Sequence, residues 1–219
     1  MTRVALEAGA KRTFAVAVEW PGWARSGRDE EAALSALAEY APRYADAVSE
    51  PNLADAGPYE VVARLDGGSG TDFGVPSSTL DEEDAPLDGA DLVRMRRLLE
   101  AAWACFDDAA RRAVGKELRT GPRGGGRSLE KMTNHVLEAE EAYLTQLGRR
   151  RPKPPAADPA DRMRQVRDAA LATLEALGRG EEPEDPSAVR RRWSPRYFVR
   201  RSAWHALDHA WELEDRTVR

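Results

Sequence analysis

The chain has three histidines, and their positions are the first feature that could do chemistry: His135, His205 and His209. His205 and His209 are four residues apart, which on an α-helix is about 40° of rotation, so both imidazoles point the same way one turn apart and can share an ion. Phe198, Ser202 and Glu212 fall on the same strip, which turns the pair toward a helical interior. His135 stands three residues after Met132 and four before Ala139, so it faces inward from a second helix. Neutral imidazole suits Zn, Ni, Fe and Cu, and three protein ligands leave a position open for water or substrate, as in reactive rather than structural sites. Taken singly, His135 is more often a hydrogen-bonded core or surface residue, and an i, i+4 pair also occurs on solvated faces. All three on inward strips, in a chain with no other histidine, carry the expectation of a divalent-metal site.

Three further side chains lie near this strip. Glu138 follows His135 by three residues and Glu212 follows His209 by three. Either could orient a ligand imidazole or act as a base, and either could equally be an ordinary polar position at the end of the helices. Arg201, one turn before His205, could hold a substrate carboxylate with its planar fork, although with 29 Arg against 4 Lys arginine is the default cation of this chain. Trp103, Trp204 and Trp211 suit a pocket wall, and more often a core. Cys105, the one cysteine, excludes an internal disulfide and cysteine-based zinc motifs; within AAWACFDD it reads as a small buried side chain. GPRGGGR lacks the Lys-Ser/Thr ending of a phosphate loop and follows a helix instead of a strand, so it is rejected as one.

Four helical segments are expected to position these residues. The first begins near Asp88 or Asp91 and repeats Leu92, Met95, Leu99, Ala102, Phe106, Ala109 and Ala113 in steps of three and four. Ser128 caps the second, which carries Met132, Val136, Ala139, Tyr143 and Leu147 and stops at Gly148. Asp158 and Pro159 open the third, with Met163, Val166, Ala170, Leu174 and Leu177, closed by Gly178 and Gly180. Ser194 and Pro195 begin the fourth, which is apolar or small on almost every side and therefore central. Four such helices suit a bundle.

Upstream, the short β-prone stretches at 4–14, 12–19 and 23–26, a helix capped by Asp29 through Ala33, Leu34, Leu37 and Tyr40, and further β-prone pieces at 59–65 and at Phe73 and Val75 predict an order β-β-β-α-β-β. Residues 76–87 (PSSTLDEEDAPL) combine Pro, Ser and four acids, the composition of a solvated linker. The expected organisation is a small α/β module over 1–75, an acidic linker over 76–87 and a helical domain over 88–219.

On these residues the chain resembles known families. SLEKMTNHVLEAEEAYLTQLG, with its histidine midway, is similar to the second helix of DinB-like four-helix-bundle metalloproteins, and WHALDHAWELEDR, with H-x-x-x-H, is similar to their fourth. The resemblance covers roughly residues 88–219 and implies an up-down bundle in which His135, His205 and His209 ligate Zn, Ni, Fe or Mn. It also implies a metal-dependent enzyme: family members include S-transferases and a maleylpyruvate isomerase that use mycothiol, bacillithiol or glutathione, so a low-molecular-weight thiol or water would be activated toward a small electrophile. FAVAVEWPGWARSGRDEEAALSAL resembles the strand, Pro-Gly turn, strand and Glu-rich helix start of HicB-like α/β modules. The fold expectation is thus α+β, a DinB-like bundle preceded by a HicB-like module. The alternatives are a metal-binding stress or accessory protein without turnover, and a HicB-like interaction module carrying the bundle.

Charge narrows the partners. The net charge of -5 divides into -2 over residues 1–50, -7 over 51–87 and +4 over 88–219. Interleaved signs at +4 are not the dense basic stripe that phosphate binding requires, so nucleic acid is not expected. No apolar run approaches the roughly 20 residues of a membrane span, and MTRVALEAGAKRTF lacks a secretory h-region. A cytoplasmic protein acting on a small molecule is expected, compatible with a homodimer. The Arg and Ala bias favours mycothiol among the thiols.

Overall fold

The computed structural model of the chain describes residues 1–219 except 56, 88, 121–125, 186, 188 and 219. The fold is α+β, and the chain divides into two compact units, Met1–Asp81 and Glu82–Arg219.

In the first unit, strands β1 (Thr2–Ala8), β2 (Thr13–Ala17), β3 (Ala24–Gly27) and β4 (Tyr59–Asp66) form one mixed sheet in the order β3-β2-β1-β4. β1 pairs antiparallel with β2, from Val4↔Ala17 to Ala8↔Thr13, and parallel with β4, from Thr2↔Tyr59 to Ala8↔Asp66. A parallel neighbour needs a crossover; helices α1 (Glu30–Glu39) and α2 (Ala41–Val48) supply it. Asp29 caps α1 by accepting from Ala32 N at 2.9 Å, as its position predicts. The single helix expected here is two, because Pro42 lies in the first turn of α2, where a missing N–H costs nothing, whereas inside a continuous helix it would break the ladder. Trp23 stacks on Tyr44 at 5.3 Å, and both polar tips are satisfied: Trp23 Nε1 donates to Leu37 O at 3.0 Å and Tyr44 OH to Pro21 O at 2.9 Å.

The strand expected at Phe73 and Val75 is not formed. Residues Ser69–Phe73 are instead a short helix, α3, ending at Gly74 with a φ of 111°, a left-handed cap that glycine adopts without strain. Buried Thr71 decides this locally: its hydroxyl accepts from Gly68 N and donates to Glu7, whose carboxylate also accepts from Ser77 N and Ser78 N. Residues 76–87, expected as a solvated linker, therefore begin with Ser77 and Ser78 fixed to β1. A 3-10 turn follows at Asp81–Asp84, within which Glu83 is buried against Arg200.

Among the described residues the second unit holds four long helices: α4 (Gly89–Ala113), α5 (Leu129–Gln146), α6 (Pro159–Gly178) and α7 (Pro195–Arg216). α7 packs on α4 and α5, and α6 on α5 and α4. Ser128, Asp158 and Ser194 each cap their helix through the side chain. Of the two starts read for α4, Asp91 lies in its first turn and Asp88 lies outside the described residues, as do positions 121–125 of the GPRGGGR stretch. Met95, Leu99, Phe106, Met132, Val136, Leu144, Leu174, Phe198, Leu207 and Trp211 fill the core between the helices. Among the described residues no helix is long and apolar enough to cross a membrane.

Candidate metal centre

α7 can bury almost its whole circumference because small residues alternate with large ones: Ala203, Ala206 and Ala210 are buried beside Phe198, Trp204 and Trp211. Two imidazoles ride on this buried helix, His205 and His209 at 7% and 8% exposure, while His135 on α5 is half-buried. Their ring centroids are 5.2 Å (His135–His205), 5.0 Å (His135–His209) and 4.6 Å (His205–His209) apart. Each offers one ring nitrogen such that the three nitrogens lie within 4.8 Å of one another, a group that could hold a metal ion.

That geometry can be tested against a shared ion. Two nitrogens at about 2.1 Å from one ion, at a tetrahedral angle, stand about 3.4 Å apart. His135 Nε2 and His205 Nε2 are 3.3 Å apart. A third nitrogen at the outer limit of 4.8 Å needs a shift of about 1.4 Å, within side-chain rotation.

The carboxylate of Glu212 fixes the tautomer of His209. It lies 3.1 Å from Nδ1 and accepts there, so Nδ1–H donates and, in the neutral ring, the Nε2 lone pair is the one left for an ion. Glu212 is held in turn by Arg216, whose Nη1 donates to it at 2.8 Å and whose other nitrogens donate to Arg119 O and Arg127 O, each at 2.9 Å. Those carbonyls come from the connection after α4, where Leu118 bridges Thr217 and Arg119 N donates to Arg216 O at 2.8 Å. The electrostatics agree with a ligand set. Burial, aided by the nearby Arg127 charge, pushes the His135 pKa down to about 4, and burial with the His209 and Arg201 charges holds His205 well below the ordinary histidine value. The hydrogen bond from His209 holds Glu212 below its usual range against the opposing effect of burial. At neutral pH two of the imidazoles are therefore unprotonated, as coordination requires.

No family model, curated protein or solved structure matches the chain.

The other residues read from the sequence divide. Glu212 joins the site through His209, whereas Glu138 is exposed on α5 and is not in the histidine group. Arg201 is buried on α7 one turn before His205, with its guanidinium within cation–π reach of Tyr143 and Trp204. Trp103, Trp204 and Trp211 are all buried. Trp103 also lines a groove of about 760 Å³ with Phe106, Leu137, Met163 and Leu171. Thr133 and Leu137 in that groove are two residues either side of His135, so it lies on another face of α5. Cys105 is partly buried.

Sequence reasoning missed Arg216, Tyr143 as a neighbour of His205 at 5.6 Å, and a buried ion network on the helices. In that network Arg167 donates to Glu140 through Nε and Nη2, both at 2.9 Å, and to Asp107 through Nη1 at 2.8 Å. The signal was present, since Glu140 lies four residues after Val136 and Arg167 four after Met163, opposite charges on two apolar stripes.

Proposed function

We propose that His135, His205 and His209 hold one divalent ion, Zn, Ni, Fe or Mn, and that the chain is a DinB-like metal-dependent enzyme acting on a small electrophilic substrate. The observation that carries this reading is the convergence of three ring nitrogens from α5 and α7, with Glu212 orienting one of them and burial keeping two of them unprotonated. An ion bound there supplies Lewis acidity that lowers the pKa of a thiol or water, and three protein ligands leave room for that fourth group. The residues of the chain do the rest. The imidazoles bind in their neutral form, Glu212 keeps the His209 ring turned, and Arg216 keeps Glu212 ionised and placed. Tyr143 packs edge to face on His205 and is tilted against Trp193, which meets Tyr197 edge to face, so these rings form an apolar wall that limits water on that side.

Mycothiol or another low-molecular-weight thiol is the proposed cosubstrate, with water as the alternative nucleophile. The up-down, DinB-like character of the helical unit is part of this proposal; four long helices with the histidines on the second and last support it. The first unit is proposed to be a HicB-like α/β module, supported by β2, the tight Pro21-Gly22 turn closed by Trp23 N donating to Trp20 O at 3.0 Å, β3 and the acidic start of α1. The test is turnover of a reactive small electrophile with a panel of mycothiol, bacillithiol, glutathione and no thiol, with metal loaded and then chelated. Metal-dependent turnover with one nucleophile is expected. Metal binding without turnover for any member would make the chain a metal-binding accessory protein instead.

A further inference from the structure

Among the described residues four arginines are buried on the helices of the second unit, and three of them face a carboxylate. Arg167 is paired with Glu140 and Asp107, Arg200 with Glu83 through Nη2 at 2.9 Å, and Arg216 with Glu212. Arg201, at 8% exposure, is the exception: among the described residues it forms no ion pair, and its Nη1 is buried with no hydrogen-bond partner. Its other neighbours are aromatic. The guanidinium carbon lies 5.2 Å from the Tyr143 ring centroid and 4.7 Å from that of Trp204. Ring faces attract a cation but do not replace a counter-ion once water is removed, and an uncompensated buried charge is strongly unfavourable. The place it occupies is specific. Arg201 is one turn from His205, on the same strip of α7, and Tyr143 touches both side chains.

We propose that Arg201 is a substrate-binding residue that receives a small-molecule carboxylate beside the histidine group, so the substrate class is small carboxylic acids. A carboxylate supplies the two acceptor oxygens that the planar fork lacks, and the aromatic neighbours exclude the water that would otherwise compete for it. The anion binding stands on Arg201 alone; only the chemistry that follows it rests on the reading of the histidines as a metal site.

The test uses the full chain after chelation, with benzoate and benzamide as probes of the same shape and different charge, followed by calorimetric titration and melting temperature. Benzoate is expected to bind at least tenfold more tightly than benzamide and to raise the melting temperature. Arg201→Met should abolish the benzoate effect, and without benzoate its melting temperature should equal or exceed that of the unchanged chain, since it removes a buried charge that has no partner. Arg201→Lys should recover part of the benzoate affinity, a point charge replacing a fork. Equal affinity for benzoate and benzamide in the unchanged chain, or benzoate affinity unaltered in Arg201→Met, overturns the proposal; the first comparison decides alone should the Met variant fail to fold. Divalent-ion titration of the same samples separates the two readings. Benzoate binding in a chain that takes up no metal sinks the metal site and leaves this proposal standing.

Discussion

His209 has one ring nitrogen committed to Glu212 and the other free, and that division depends on a single carboxylate. Glu212→Ala is expected to weaken divalent-ion affinity about 10- to 100-fold, measured by competition with a chromophoric chelator, because the ring loses the partner that orients it. Unchanged affinity would mean that the pair is only a surface contact. Protonation gives a second expectation. His135 and His205 have folded pKa values below their unfolded value near 6.5, so between pH 6.5 and about 4 the unfolded chain binds more protons than the folded one. The contribution of His135 and His205 to the stability of the metal-free chain should therefore be flat above pH 6.5 and fall on acidification through that window, with Glu212, whose pKa is also lowered, adding to the loss below about pH 4.5. Urea midpoints at pH 7 and pH 5 check this, and equal midpoints would contradict it. The histidine group was legible in the sequence because helical spacing alone fixes which way His205 and His209 point. Arg216 was not, since its partners Arg119 and Arg127 are carbonyls on a connection whose course spacing does not give.

The helices of the second unit were readable from their stripes and caps, and three of the caps bond as expected. Ser194→Ala should cost about 1 kcal/mol by removing the acceptor for Tyr197 N at the start of the helix that carries two of the histidines. The Arg167 network was hidden because each charge taken singly reads as a break in a stripe, and only the fold brings α5 and α6 together. Arg167→Met leaves Glu140 buried without its partner and is expected to destabilise by about 3–5 kcal/mol in urea unfolding, whereas the double variant with Glu140→Leu should regain most of that. Metal uptake should be unchanged in both. The misread helix and strand lie in the first unit, where tertiary bonds override local pattern: Thr71 bonding to Glu7 selects a helical turn over a strand at Phe73.

At the scale of the whole chain, binding an ion between α5 and α7 couples metal to the stability of the unit that contains them. With free metal at 100 times its dissociation constant the gain is about 2.7 kcal/mol. Hydrogen exchange should therefore slow on metal addition in the amides of α5 and α7, while the sheet amides of β1, β2 and β4 keep their rates; uniform slowing of both units would show that they unfold as one. The most direct measurement is the stoichiometry of zinc uptake by the chelated chain, followed by chelator competition at pH 7, for the unchanged protein and for His135→Ala and His205→Ala. One ion per chain, lost in both variants while each still folds, is the expected result. No uptake by the unchanged chain, or one ion retained without His135, would contradict a centre built from three histidines.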